Sequence, residues 1–162
     1  MFIYLIRART VKFFILAILA IGLIVGVGAL SGADAVLASS SAISADYSGI
    51  KTNDDRVKFI ESYGIKVREE PVEEESFAMP ENFDRVILGY NELQKKQGLD
   101  LSKYGKRKVK RYTYVVENYD YDGEVYANLF IWRGRIVACD ISSLDPEGFV
   151  LPLTLVDKAK LK

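Results

Sequence analysis

The most marked pattern in the chain is an uninterrupted apolar run at residues 13–30. Its 18 residues include no charged side chain, and a helix needs roughly 17–25 such residues to cross the hydrocarbon core of a bilayer. The first acidic residue of the chain, Asp34, follows the run. Three basic residues precede it: Arg7, Arg9 and Lys12. The positive-inside rule therefore predicts a cytoplasmic N-terminus at residues 1–12, a transmembrane helix at 13–30 and a remainder outside the cytoplasm.

A cleaved signal peptide is the alternative interpretation of the same segment. The apolar region of a signal peptide is normally about 7–15 residues long, which is shorter than this run. Against the anchor, Ala33-Asp34-Ala35 has the small-x-small form of a peptidase site. Both interpretations export the remainder of the chain. It is a single-pass membrane protein if the segment stays attached, which we prefer, and a secreted protein if the chain is cut near Ala35.

Beyond the apolar run, the composition of the chain changes twice. Residues 31–50 are dominated by small and polar side chains without apolar periodicity, which is typical of a flexible linker. Residues 51–150 carry regular apolar patterns and are the predicted extracytoplasmic domain. Residues 151–162 are predicted to be a tail.

Two stretches of the predicted domain have the apolar spacing of amphipathic helices. The first begins after Thr52, a good N-cap residue, and ends at Gly64, where a helix commonly stops. The second lies between Pro80 and Gly98, which mark its start and its end. Each helix has one apolar face with which to pack.

After Lys106 the apolar period changes to two, as in strands. Two segments alternate most clearly, 111–116 and 125–132. A third strand is predicted at 136–141, which is apolar on both faces, as expected of a central strand. The dipeptide Arg133-Gly134 indicates a tight turn between the last two. Residues 65–68 also alternate, and 149–151 are compatible with a short extra strand. The predicted fold class is α+β: two helices packed on a three- to four-stranded, mainly antiparallel sheet.

Charge and composition exclude several functions. Residues 1–30 hold three of the 22 basic residues and none of the 22 acidic ones, so the remainder has a net charge of −3. That balance argues against a nucleic-acid binder. The chain has no His, the commonest general base and transition-metal ligand. Its single Cys, Cys139, excludes an intramolecular disulfide and is predicted to be a small core residue.

A basic run with a neighbouring aromatic residue is the main candidate for binding. Its members are Lys106, Arg107, Lys108, Lys110, Arg111 and Tyr112. They predict contact with an anionic wall polymer or an envelope protein. The alternative is an edge strand that Lys and Arg protect against self-pairing, or one paired across the sheet with the acidic run at 69–75. That acidic run matches no calcium-loop spacing, and we predict no metal site, cofactor or catalytic residue.

Several separated stretches of the domain resemble one known family. They are residues 51–64 (KTNDDRVKFIESYG), 69–73 (EEPVE), 90–104 (YNELQKKQGLDLSKY), 108–114 (KVKRYTY) and 127–140. The chain is similar in these stretches to domain-of-unknown-function family 4830, from Gram-positive, clostridia-like bacteria. The resemblance implies an exported or membrane-anchored protein with one N-terminal hydrophobic segment. It implies no activity, substrate or catalytic residue.

These observations favour a non-catalytic binding or interaction module at the bacterial cell envelope. One alternative is a hydrolase that uses carboxylates alone, which requires acids that converge in a concave pocket. Another is a sensor of a small ligand or ion, which requires a preformed apolar cavity.

Overall fold

The computed structural model describes residues 45–145 and 148–162. Within them lie seven main elements: α1 (Asn53–Glu61), β1 (Glu73–Ala78), α2 (Arg85–Lys95), β2 (Lys108–Val116), β3 (Val125–Trp132), β4 (Arg135–Ser143) and β5 (Val150–Pro152). Three short 3-10 helices follow α2 and β5: Leu101–Tyr104, Leu153–Leu155 and Lys158–Lys160. The strands form one antiparallel sheet in chain order, β1 to β5. The predicted α+β class is confirmed.

Both predicted helices are present, and side chains cap their N-termini. At α1, the Thr52 hydroxyl accepts from the Asp55 N–H at 3.1 Å, and the Asp55 carboxylate accepts from the Thr52 N–H at 2.8 Å. This reciprocal pair is a capping box. At α2, the Asp84 carboxylate accepts two backbone N–H groups of the first turn. Gly64 and Gly98 follow the helices with φ of +83° and +81°, a conformation that glycine adopts without steric cost.

The sheet has five strands within the described residues, so the prediction of three to four was too low. The additional strand is β1, which contains the second half of the acidic run. The predicted strand at 65–68 contributes only an isolated bridge between Val67 and Val116. Pro71, which has no N–H to donate, separates that bridge from β1. The apolar alternation expected of a strand is weak in β1 because its inward-facing positions include glutamates.

The two faces of the sheet bury separate apolar clusters. On one face, β2, β3 and β4 pack with α1 around a cluster that includes Ile60, Tyr114 and Leu129, all fully buried. We call this the α1 face. On the other, which we call the α2 face, Phe130 packs against Tyr90 of α2 with ring centroids 5.9 Å apart. Strands β2, β3 and β4 are therefore covered on both faces over most of their length, as expected for central strands.

The outer edge of β4 is closed by side chains as well as by a strand. β5 pairs with β4 only at residues 140–142. Nearer the start of β4, the Cys139 N–H donates to Gln94 Oε1 at 3.0 Å, and the Cys139 carbonyl accepts from Gln97 Nε2 at 2.6 Å. The Ile136 N–H donates to the Tyr47 carbonyl at 2.8 Å. Two glutamine side chains, Gln94 in the last turn of α2 and Gln97 just after it, thus replace a missing strand at this edge.

The packed domain extends beyond the predicted limits of 51–150. Tyr47 and Ile50 belong to the core cluster of the α1 face, so the end of the predicted linker is part of the fold. Leu153, in the predicted tail, is fully buried. The predicted transmembrane segment at 13–30 lies outside the described residues. Within residues 45–145 and 148–162, no helix is long and apolar enough to cross a membrane.

Candidate functional site

Strand alternation divides the predicted basic run between the two faces of the sheet. In β2, Lys108, Lys110 and Tyr112 point to the α1 face, whereas Arg111 points to the α2 face. Successive strand residues point to opposite faces, so the two groups cannot contact one ligand together. The run that is continuous in sequence is therefore two separate sites in the structure.

Arg111 is a buried ion-pairing residue on the α2 face. Its side chain is 8% exposed, and its Nη2 atom lies 2.8 Å from Glu73 Oε2 and 3.1 Å from Glu75 Oε2. Both glutamates belong to β1, the neighbouring strand. Arg111 is thus outside the surface that the other cations form. For Arg111, the alternative given from the sequence, an ion pair across the sheet with the acidic run, is what the structure shows.

The other cations of β2 line a groove on the α1 face, which we call the basic groove. Its volume is about 500 Å³. The basic side chains that line it come from four segments of the chain: Lys51, Arg56, Lys108, Lys110 and Arg133. Its other lining residues within the described part of the chain carry no charge: Ile50, Ser76, Tyr112, Ile131 and Gly134. The groove therefore presents positive charge to a ligand.

Arg56 is held rigidly in the basic groove. Its guanidinium carbon lies 3.8 Å from the centroid of the Tyr112 ring, within cation–π distance. Its Nε donates to the Tyr114 hydroxyl at 2.6 Å, and its Nη2 donates to Asn53 Oδ1 at 3.2 Å. Because these contacts fix the guanidinium before any ligand arrives, little side-chain entropy remains to be lost on binding.

One carboxylate partly neutralises the basic groove. Lys110 Nζ lies 2.6 Å from Glu74 Oε1, and this pair raises the pKa of Lys110 and lowers that of Glu74. Both side chains are about half exposed, so solvent screening leaves the pair weak. Among the described residues, Lys51, Lys108 and Arg133 form no ion pair. These three cations are available to a partner.

Two members of the predicted basic run lie before β2, away from the groove lining. Lys106 has a φ of +62°, and its Nζ lies 2.7 Å from Glu81 Oε2. The Arg107 guanidinium carbon lies 5.8 Å from the centroid of the Trp132 ring. Neither residue lines the basic groove.

A cavity of about 410 Å³ lies on the α2 face. β1 and the segment after it form one wall, and α2 contributes Ile87 and Tyr90. Most of its lining is apolar: Val72, Phe77, Ala78, Met79, Pro80, Ile87, Leu101, Phe130, Leu144 and Val150. A preformed apolar cavity is what the alternative of a small-ligand sensor required.

The floor of this cavity is a connected row of polar side chains on β2, β3 and β4. Thr113 Oγ1 donates to Asn128 Oδ1 at 2.8 Å, and Asn128 Nδ2 donates to Asp140 Oδ1 at 2.8 Å. The Tyr90 hydroxyl donates to Asp140 Oδ2 at 2.6 Å. Each Asp140 oxygen thus accepts a hydrogen bond from a protein side chain. The carboxyl group is fixed by its neighbours, and the other cavity acid, Glu73, is held by Arg111.

Burial controls the ionisation of the groups around the floor. It raises the pKa of Asp140, and the hydrogen bonds from Tyr90, Asn128 and Ser142 and the charge of Arg111 offset only part of that effect. Burial also raises the pKa of Tyr90 well above its usual value, so the phenol stays protonated and can donate.

The raised pKa of Asp140 predicts a pH dependence of stability with a definite sign. Because the folded-state pKa exceeds the unfolded one, the protonated side chain stabilises the fold below the unfolded pKa. This stabilisation is lost as pH rises through the folded pKa. Urea unfolding of the wild type and Asp140→Asn at about pH 4 and about pH 7 isolates the effect. We expect the wild type to lose stability relative to the variant between these pH values, and a constant difference would contradict the assignment.

Cys139 faces away from this cavity, in the core of the α1 face. It is fully buried, and burial raises the pKa of its thiol well above the usual value. The thiolate needed of a nucleophile is therefore disfavoured, and the prediction of a small core residue is confirmed. In the part of the chain that the structure describes, no three His, Cys, Asp or Glu side chains are placed to hold a metal ion.

Sequence reasoning missed three cations of the basic groove: Lys51, Arg56 and Arg133. Arg133 occupies the correctly predicted two-residue turn, with φ of +49° before Gly134 at +74°. Its position in the groove follows from the β3–β4 hairpin. Lys51 and Arg56 lie 52 or more positions before Lys108 in the chain. No local sequence pattern therefore connects them with the basic residues of β2. The polar residues Asn128 and Asp140, in the middle of apolar strands, were a readable sign of the cavity floor.

Fold and sites together define a small α+β domain with one five-stranded sheet, a basic groove on one face and an apolar cavity on the other. The model of the domain-of-unknown-function family DUF4830 matches residues 59–141, just over half of the chain, and the chain belongs to this family. The family resemblance stated from the sequence is thus confirmed. Neither a curated protein nor a solved structure matches the chain.

Proposed function

We propose that this protein is a membrane-anchored, extracytoplasmic binding module of the bacterial cell envelope, without catalytic activity, that holds an anionic wall polymer in the basic groove. The observation that carries the proposal is the convergence of five cations from four chain segments on one groove. The apolar run at 13–30 and the cations before it support the anchor and the orientation.

A linear polyanion suits the shape and the chemistry of the groove. The N–H groups of the fixed Arg56 guanidinium that Tyr114 and Asn53 do not engage can donate to a phosphate or carboxylate group. Lys51, Lys108 and Arg133 supply exposed cations around it, which match repeated charges along a flexible chain. A polymer anchored near the membrane would also be at high local concentration for a domain tethered to the same membrane.

Neutralising the groove is expected to weaken polyanion binding. The variant Lys51→Gln/Lys108→Gln removes two exposed cations that form no ion pair with described residues. Each cation near an anionic surface contributes about 1 kcal/mol, so affinity should fall by roughly tenfold or more. Binding of the full-length chain to fluorescent polyphosphate, measured by anisotropy at low and moderate salt, tests this. The wild-type affinity should also fall as salt rises.

A matched control separates the groove from net charge. Lys96→Gln/Lys158→Gln removes the same charge at two exposed positions outside the groove. It should leave the affinity close to that of the wild type. An equal loss of affinity in both double variants would contradict a wall polymer as the occupant. So would a wild-type chain that binds neither polyphosphate nor polyglutamate. Crosslinking that identifies only a protein partner at Lys108 would favour the envelope-protein alternative.

A further inference from the structure

The cavity on the α2 face has chemistry opposite to that of the basic groove. We propose that it binds an organic amine, a small molecule with an apolar body and a protonated amino group. This inference is independent of the polymer-binding proposal, because the two sites lie on opposite faces of the sheet and share no lining residue.

The apolar walls define the body of the ligand. Phe77, Met79 and Phe130 present aromatic and thioether surface to the cavity, and the Phe77 and Phe130 rings meet edge to face at 6.1 Å between centroids. Met fills irregular space around ligands because its side chain is flexible and polarisable. A cavity of about 410 Å³ lies within the range of small-molecule sites. An alkyl or aryl body of modest size is therefore accommodated.

The charges around the cavity select the head group. Arg111 is the single cation among the described residues that line the cavity, and it pairs with Glu73, which also lines the cavity, and with Glu75, which does not. Asp140 is the other acid of the lining. Even with Asp140 protonated, two carboxylates face one cation. An additional cation restores the balance in this half-buried site, where charges are screened less than at the surface. An anionic ligand would increase the imbalance.

The hydrogen-bonding groups of the floor also favour an ammonium head group. A carboxylate has about four acceptor positions, and the side chains of Tyr90, Asn128 and Ser142 fill three of those on Asp140. The Thr113 hydroxyl, which donates to Asn128, still has lone pairs to offer. The spare capacity of the floor is thus mainly acceptor capacity. A ligand rich in donors, such as an ammonium group with three N–H bonds, complements it.

The two methionines of the chain provide a site-specific measurement. Met79 lines the cavity and is 5% exposed, and the other is Met1. Carbon-13 labelling of the methionine methyl groups in the full-length chain gives two NMR signals, of which one reports on the cavity. Phenylbutylamine, phenylbutanol and phenylbutyrate share one apolar body and differ only in the head group, so they serve as the three test ligands.

We expect phenylbutylamine to shift the Met79 methyl signal saturably, with phenylbutanol at least about tenfold weaker and phenylbutyrate weaker still. Glu73→Gln should weaken amine binding about tenfold and leave the binding of the alcohol unchanged. Glu69→Gln, an exposed position outside the cavity, removes the same charge as a control and should change neither.

Three results would overturn the proposal. The first is a Met79 signal that the amine does not move. The second is binding of the alcohol or the carboxylate as tight as that of the amine, because the cavity would then select the apolar body alone. The third is an equal loss of amine affinity in the two glutamine variants, which would indicate a general charge effect.

Discussion

Replacing Gln97 by alanine is expected to lower the free energy of unfolding by about 3 kcal/mol or more, a large fraction of the stability of a small domain. Gln97 is 8% exposed and joins three parts of the fold. Its Nε2 donates to the Cys139 carbonyl at 2.6 Å and to Gln94 Oε1 at 2.7 Å. Its Oε1 accepts from the Thr154 N–H at 3.2 Å and the Thr154 hydroxyl at 3.0 Å.

The size of the effect follows from what the substitution leaves behind. Alanine removes the side-chain partners of the buried Cys139 carbonyl and of the part-buried Thr154 N–H. Each unsatisfied buried group costs about 1–3 kcal/mol. The change also exposes part of the β4 edge, and an open strand edge is a template for pairing with a second chain. Lower stability should therefore be accompanied by aggregation on heating.

Chemical unfolding followed by circular dichroism measures this loss, and Lys96→Ala is the control at the adjacent, exposed position. Surface substitutions of this kind usually change stability by less than about 0.5 kcal/mol. If the free energy of unfolding of Gln97→Ala differs from that of the wild type by no more than this margin, Gln97 does not support the β4 edge.

The parts of the fold that sequence reasoning predicted are those that local chemistry determines. The α1 start depends on Thr52 and Asp55, three residues apart. The β3–β4 turn depends on Arg133 and Gly134, which adopt left-handed conformations in sequence. The apolar patterns of β3 and β4 are likewise read over a few residues. In each case the groups that stabilise the element lie within it.

The strand that was missed depends on a distant partner. β1 carries glutamates where a strand normally presents apolar residues to the interior, and these acids are acceptable only beside Arg111. Glu73 and Arg111 are separated by 38 positions in the chain. A sequence pattern shows both charged runs, but only the register of β1 on β2 shows that Arg111 is paired and that Lys108 is not.

The two faces also explain why the basic run was interpreted as a single surface. Clustering along the chain does not show the strand alternation that places Lys110 and Arg111 on opposite sides of the sheet. The same alternation separates the basic groove from the apolar cavity through the thickness of one sheet. The two ligands proposed above would therefore not compete directly for one site.

Tyr114→Ala is the second substitution with a large expected effect, a loss of about 3–5 kcal/mol in the free energy of unfolding. Tyr114 is the largest fully buried side chain among the described residues and lies at the centre of the α1-face cluster. Its hydroxyl accepts from Arg56 Nε at 2.6 Å and donates to Asn53 Oδ1 at 2.8 Å. The residue therefore joins the core to the first turn of α1 and to the basic groove.

The variant Tyr114→Phe separates these two roles, because phenylalanine keeps the ring and removes only the hydroxyl. It should cost about 1–2 kcal/mol, since Arg56 and Asn53 each lose one hydrogen bond. Yet it should weaken polyphosphate binding several-fold, because the guanidinium of Arg56 loses one of the three contacts that hold it in the groove. Urea unfolding measures the first effect and anisotropy the second. A Tyr114→Phe variant with wild-type affinity would show that Arg56 is held for stability alone and that the exposed lysines carry the binding.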